Sequence, residues 1–223
     1  MSTPQRYDLY GPIHKALRAW STDILVKLGR ADWQHEDNTR KTLTDLRDHL
    51  AVHWLHIAHE DRFIHPVLAR LVPGSEAAAV AEHDRHAEAL RQLEAAAEAL
   101  SLARPDAREG LGYALYLQFA QFLAIDFEHM HDEETRHMQI LWAHLSDAEI
   151  AAIEHQIVAS QSPQEAMQVL QWMLPNLTAA QRAEKFAGLR AAAPPPVVAA
   201  VTDLLTARLT EFEMKRLWEN IAA

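Results

Sequence analysis

The sequence contains no cysteine. That removes disulfide bridges, thiolate metal ligands, cysteine nucleophiles and cysteine-held iron–sulfur clusters together. Glycine is scarce, with six in 223 residues, and alternating Val/Ile/Thr runs closed by Asn-Gly or Asp-Gly turns are missing. The chain therefore carries no hairpin signal. There is no dense block of lysine and arginine, and 21 basic against 31 acidic side chains leave a net charge of −10. Phosphate binding needs concentrated positive charge, so nucleic acid is not an expected partner. The most apolar stretch, Leu111 to Ile125, is interrupted by Gln118 and Gln121 and is short for a bilayer span, so no membrane partner is expected. Met1 to Asp8 lacks the basic start and apolar run of a signal peptide. The expectation is a soluble, cytoplasmic protein.

What the chain does have is helix-forming sequence. Hydrophobic residues make up 49%, enough for a sizeable core. Alanine, leucine, glutamate, glutamine and arginine dominate, and apolar residues recur at intervals of three and four. A first helix is expected from Pro12 to about Leu28, with the stripe Ile13, Leu17, Trp20, Ile24 and Leu28. A polar connection, Gly29 to Arg40, follows. Further helices are expected over 43–71, 76–102 and 106–145. Four long amphipathic helices with short joints predict an all-α, antiparallel up-and-down four-helix bundle over residues 8–145. Ser146-Asp147-Ala148-Glu149 has the pattern of a capping box, repeated at Ser162–Glu165 and Thr178–Gln181. Residues 146–223 therefore read as an additional C-terminal all-helical extension, with helices near 147–160, 163–174, 179–192 and 196–220.

Histidine is abundant, and 13 of the 14 lie before Ser146. His49, His53, His56 and Glu60 follow one another at four, three and four residues, on the stripe that also holds Leu46, Ile57, Ile64 and Leu71. Asp126, His129 and Glu133 occupy the same kind of stripe with Leu115, Phe119, Phe122 and Ile140. Polar groups on a core stripe are costly unless paired or bound to metal. Aligning His56 on His129 puts Glu60 on Glu133, so both helices carry His-x-x-x-Glu, with its two side chains one turn apart on one face. His14 precedes the first pair by 42 residues and His83 the second by 46. A doubled hairpin would bring these six side chains to one point. Four imidazoles and two carboxylates suit two first-row metals, with the carboxylates as bridges and coordination positions left open.

Ile13-His14-Lys15, His56-Ile57-Ala58-His59-Glu60-Asp61 followed by Pro66, Glu82-His83-Asp84 and His129-Met130-His131-Asp132-Glu133-Glu134 resemble the hemerythrin HHE cation-binding family, over roughly residues 8 to 145. The resemblance implies a non-haem centre of two iron ions (manganese and zinc being the alternatives) with His14, His56, Glu60, His83, His129 and Glu133 as metal ligands. It also implies that dioxygen, nitric oxide or peroxide is the small ligand. Oxygen-carrying members have two histidines four apart on the third helix. Here that position is Ala87, and the nearest extra histidine is His86. The pattern is closer to the bacterial four-histidine, two-carboxylate type, as in the di-iron proteins of iron–sulfur cluster repair. Those carry a cysteine-bearing N-terminal segment that this chain lacks, so their activity does not carry over.

Around this set, His86 is a candidate extra ligand. His53 and Asp126 are candidates for proton transfer, and Asp126 also for orienting a ligand histidine. His49 reads as a helix-end residue, His137 as undecided between site and surface. His59, Asp61, His131 and Glu134 lie off the stripe and read as solvated surface or as support behind the ligands, and His35, His65, His144 and His155 read as surface residues. Met167, Trp172 and Met173 either pack the extension on the bundle or form a homodimer face. Three functions are consistent with this reading: a hemerythrin-like binder of small oxidants for sensing, scavenging or iron handling; a di-iron oxidoreductase of peroxidase or nitric oxide reductase type; and a helical interaction module with a structural metal site.

Overall fold

Residues 6–222 are described by a computed structural model, and no strand occurs among them. Helix α1 spans Gly11–Arg30. α2 (Glu36–His59) runs through a π-helical segment, Glu60–Ile64, into α3 (His65–Leu71), making one long rod. α4 spans Ala77–Leu102. A second rod is built the same way from α5 (Pro105–Asp132), the π-helical segment Glu133–His137 and α6 (Met138–His144). Then come α7 (Asp147–Ser160), α8 (Pro163–Asn176), α9 (Ala179–Ala192), α10 (Pro195–Arg208) and α11 (Glu211–Ala222).

Two boundaries differ from the sequence expectation. The first rod starts at Glu36 rather than Leu43, because the polar run 32–38 is itself a helix start. Asp32 Oδ1 accepts from the backbone of Gln34 and His35, His35 Nδ1 accepts from Asn38 N, and Glu36 and Asp37 place acid in the first turn. The helix expected over 196–220 is two helices. Leu209 leaves the helical conformation, and Thr210 opens α11, its hydroxyl accepting from Glu213 N while Glu213 Oε2 accepts from Thr210 N. The other boxes form as expected: Ser146 with Glu149, Ser162 with Glu165 and Thr178 with Gln181.

The chain divides into two compact units. The first takes the residues up to Tyr10 together with Trp20–Ser160, and the second takes Gly11–Ala19 with the chain from Gln161 onward. α7 thus groups with the first unit. Within that unit α4 lies against α2 and α5, α3 against α6, and the segment Glu60–Ile64 against α7. Leu46, Leu50, Leu90, Leu93, Ala97, Leu115 and Phe119 are buried along these contacts. A second apolar cluster joins Ile64, Leu68, Met138, Leu141, Ile150 and Ile153 to Leu9 and Tyr10. The strand of chain before α1 is fixed there: Arg6 pairs with Asp147 at 2.6 Å and donates to the carbonyls of Trp142 and Leu145, and Trp142 Nε1 donates to Tyr7 O.

The second unit has its own core of Leu174, Leu177, Ala183, Phe186, Val201, Leu205 and Leu217, with Met167 and Met173 packed against it. Buried Arg182 donates to the carbonyls of Leu174, Pro175 and Leu177, satisfying the end of α8. No helix of the described residues is long and apolar enough to cross a membrane.

Candidate metal centre

Each long rod widens where its glutamate sits. The wide turns begin at Glu60 and Glu133, and their backbone bonds run from His65 N–H to Glu60 O and from Met138 N–H to Glu133 O, five residues apart instead of four. Before each wide turn the geometry is α-helical, so His56 and Glu60 face the same way, with Nε2 to Oε1 at 3.3 Å. His129 and Glu133 repeat the relation at 3.4 Å. α4 supplies His83, whose Nε2 stands 3.4 Å from Glu60 Oε2 and 3.1 Å from His129 Nε2. Glu60, His83, His129 and Glu133 each bring a donor atom into one set whose members lie within 4.8 Å of one another, and His56 brings a donor atom within 4.8 Å of both carboxylates. Glu60 and Glu133 are 2% and 0% exposed. His14 is fully buried on α1, on the stripe that continues through Leu17, Ser21, Ile24 and Leu28.

The outer nitrogens of the two facing imidazoles are held by carboxylates from neighbouring helices. His83 Nδ1 donates to Asp61 Oδ1 and His129 Nδ1 to Glu82 Oε2, both at 2.8 Å. These bonds keep the protons on Nδ1, so in the neutral rings both Nε2 atoms present lone pairs to each other across 3.1 Å. Two lone pairs and two buried carboxylates on one spot repel unless a cation lies between them. Without one, a proton takes the place. Burial pulls the His83 pKa down, but Glu60 and then Asp61 outweigh it and raise the net value. Burial drives His129 to about 2, keeping it neutral. Burial, followed by the charge of Glu60, holds the Glu133 carboxyl well above the usual range. The donors are nitrogen and oxygen only, buried and convergent, a set that could hold a metal ion.

Several side chains fall elsewhere than the sequence suggested. His65, expected at the surface, is 4% exposed and stacks on His83, with ring centroids 4.8 Å apart. In a regular α-helix a residue five after Glu60 lies about 140° around from it; the extra residue of the wide turn takes back about 100° and turns the ring inward. His137 is also buried, with Nδ1 3.3 Å from the Tyr10 hydroxyl. His49, read as a helix-end residue, is fully buried: its Nε2 meets Ser21 Oγ at 2.8 Å and His53 Nε2 at 3.1 Å. Asp126 stands 3.8 Å from His53 Nδ1, and Asp61 and Glu82 are the carboxylates on the outer nitrogens of His83 and His129. His86 is buried with its ring 4.7 Å from that of His129. Burial lowers it to about 4, and it joins none of the convergent donor sets. His59 is half-buried beside Ser160, whereas His35, His131, His144 and His155 are exposed.

Asp61, read from the sequence as either surface or support for a ligand, is the second of these, and Glu82, given no role there, had a signal in the sequence. Asp61 follows Glu60 and Glu82 precedes His83, so each outer acid is the chain neighbour of a predicted ligand on a different helix from the histidine it holds. Comparison of the chain with protein-family models, with curated proteins and with solved structures finds no match.

Proposed function

We propose that this chain is a hemerythrin-like, metal-binding protein. In this reading α1, the two rods and α4 form an antiparallel four-helix bundle around a non-haem di-iron centre. The centre binds dioxygen, nitric oxide or peroxide for sensing, scavenging or iron handling. The observation that carries it is the pair of Nε2 atoms facing each other at 3.1 Å, each ring fixed by a carboxylate on its far side, between two buried glutamates. One metal would be held by His83 and His129 and the other by His56, with Glu60 and Glu133 between them. The doubled sequence pattern adds His14 as the remaining ligand. An iron pair there supplies Lewis acidity, one-electron chemistry and open positions for a small ligand. The chain's own part is to exclude water through the apolar walls of the rods, to hold the histidine tautomers through Asp61 and Glu82, and to lodge a proton on His83 whenever the ligand set carries no metal.

The test is metal analysis of protein purified without chelator, with ultraviolet–visible spectra taken anaerobically and in air. The expectation is about two equivalents of iron and a near-ultraviolet band that responds to dioxygen or nitric oxide. Less than about one equivalent of any transition metal, persisting after iron reconstitution, would sink the proposal.

A further inference from the structure

Beyond the six predicted ligands, the wide turns bring two more imidazoles to the same buried region. His65 is the first residue after one wide turn, and His137 the last residue of the other. Their rings approach edge to face, with centroids 6.1 Å apart. The two histidines and Glu133 each bring a donor atom into a set within 4.8 Å, and all three side chains are buried. His65 Nδ1 lies 3.0 Å from Asp61 Oδ1, while its Nε2 has no hydrogen-bond partner among the described residues. A buried imidazole nitrogen left unsatisfied destabilises the fold. The chain bears that cost at a residue that apolar packing alone could fill, as Ile64 and Leu68 fill the positions beside it.

Donors bound at about 2.0–2.2 Å to one first-row ion lie at most about 4.3 Å apart, so side-chain shifts of a few tenths of an ångström close this set. Two histidines and one carboxylate, with the remaining positions open, make the ligand set of non-haem Fe(II) sites. We propose that His65, His137 and Glu133 form a third cation position, for a divalent first-row ion, beside the di-iron centre. The proposal rests on the reading of Glu133 as a metal ligand, which the two positions share. With three protein donors, one of them shared, the third ion is the weakest bound and the most readily exchanged. The buried Tyr10 hydroxyl lies 3.3 Å from His137 Nδ1.

The experiment is a Co(II) titration of the metal-free full chain, read by cobalt d–d absorption and by metal analysis after gel filtration. The wild type is expected to take up about three equivalents, and His65→Asn and His137→Asn about two each, with the same helical circular dichroism. A wild type that saturates at two equivalents overturns the third position and leaves the di-iron reading standing. So does retention of all three by both variants. A folded His65→Asn protein that binds one equivalent or none places His65 in the main centre and overturns a separate position. Wild-type uptake below two overturns the reading of the centre and this inference with it.

Discussion

Replacing Glu133 by glutamine has opposite effects on the empty and the metal-loaded protein if the buried donor set exists to hold cations. Glu60 and Glu133 are 2% and 0% exposed, with carboxylate oxygens no more than 4.8 Å apart. At an effective dielectric of about 20, two full charges at that separation repel by at least about 3.5 kcal/mol. The empty protein escapes part of this by keeping Glu133 protonated, its carboxyl held high by burial and then by Glu60. A group whose folded pKa is raised gives its full stability below the unfolded value and loses it as pH rises through the folded one. Glu133→Gln, of the same shape and uncharged, therefore stabilises the metal-free protein at pH 8 by on the order of 2 kcal/mol, or about 4–8 °C in Tm for a chain of this size. At pH 5, where the folded carboxyl is already protonated, the gain shrinks towards zero. The metal-loaded variant melts below the loaded wild type, because it lacks a carboxylate that binds the ions. Thermal unfolding by circular dichroism, with and without chelator at both pH values, reads all four cases. A variant less stable than wild type in the metal-free state at pH 8 would refute the reasoning and make Glu133 an ordinary hydrogen-bonded core residue.

Three other outcomes follow from the same structure. Asp61→Ala and Glu82→Ala each free the far side of a histidine, and competition against a chelator should show metal binding weakened about 10–100-fold with helicity unchanged. Burial lowers His49 to about 3 from 6.5, so the unfolded chain takes up a proton that the folded one refuses. Stability is therefore complete above about pH 6.5 and falls by up to about 1.4 kcal/mol per unit down towards pH 3. Urea titrations of His49→Gln should show a shallower acid slope. A Cβ on Gly112 would run into the Trp33 indole, so Gly112→Ala should cost about 1–3 kcal/mol and shift tryptophan emission to the red as Trp33 moves.

The long helices were legible because apolar spacing of three and four persists over many turns, and the short ones because Ser162–Glu165 and its counterparts announce their starts. Thr210-Glu211-Phe212-Glu213 carries the same signature, but the apolar run through Leu204 and Leu205 masked it. In the candidate site, His56 with Glu60 and His129 with Glu133 could be paired because α-helical phase holds up to each glutamate. Past that point the phase changes. His65 could not be placed by counting along an α-helix, since its inward direction comes from a turn of different width. His49 reads as a helix-end residue only from a helix start at Leu43. With seven more residues in front of it, it is an interior residue packed against Phe119 and Trp20. Contacts made across helices, such as Glu82 to His129, depend on rotation about helix axes that no single-chain periodicity specifies.

The wide turns also set how each rod tolerates changes of length. Deleting one residue from Asp61–Ile64 would restore an unbroken α-helix and keep every backbone amide bonded. His65 would then be the fourth residue after Glu60, about 40° around from it, which is the direction the wide turn already gives it. Leu68, wholly enclosed beside Leu141, would keep its neighbours. Removing a second residue would instead swing all that follows by about 100° relative to His56 and Glu60. Each rod should therefore accept the loss of its one surplus residue and reject larger deletions there, while the polar joint at Pro73-Gly74, where Gly74 already turns with φ +89°, can lengthen freely.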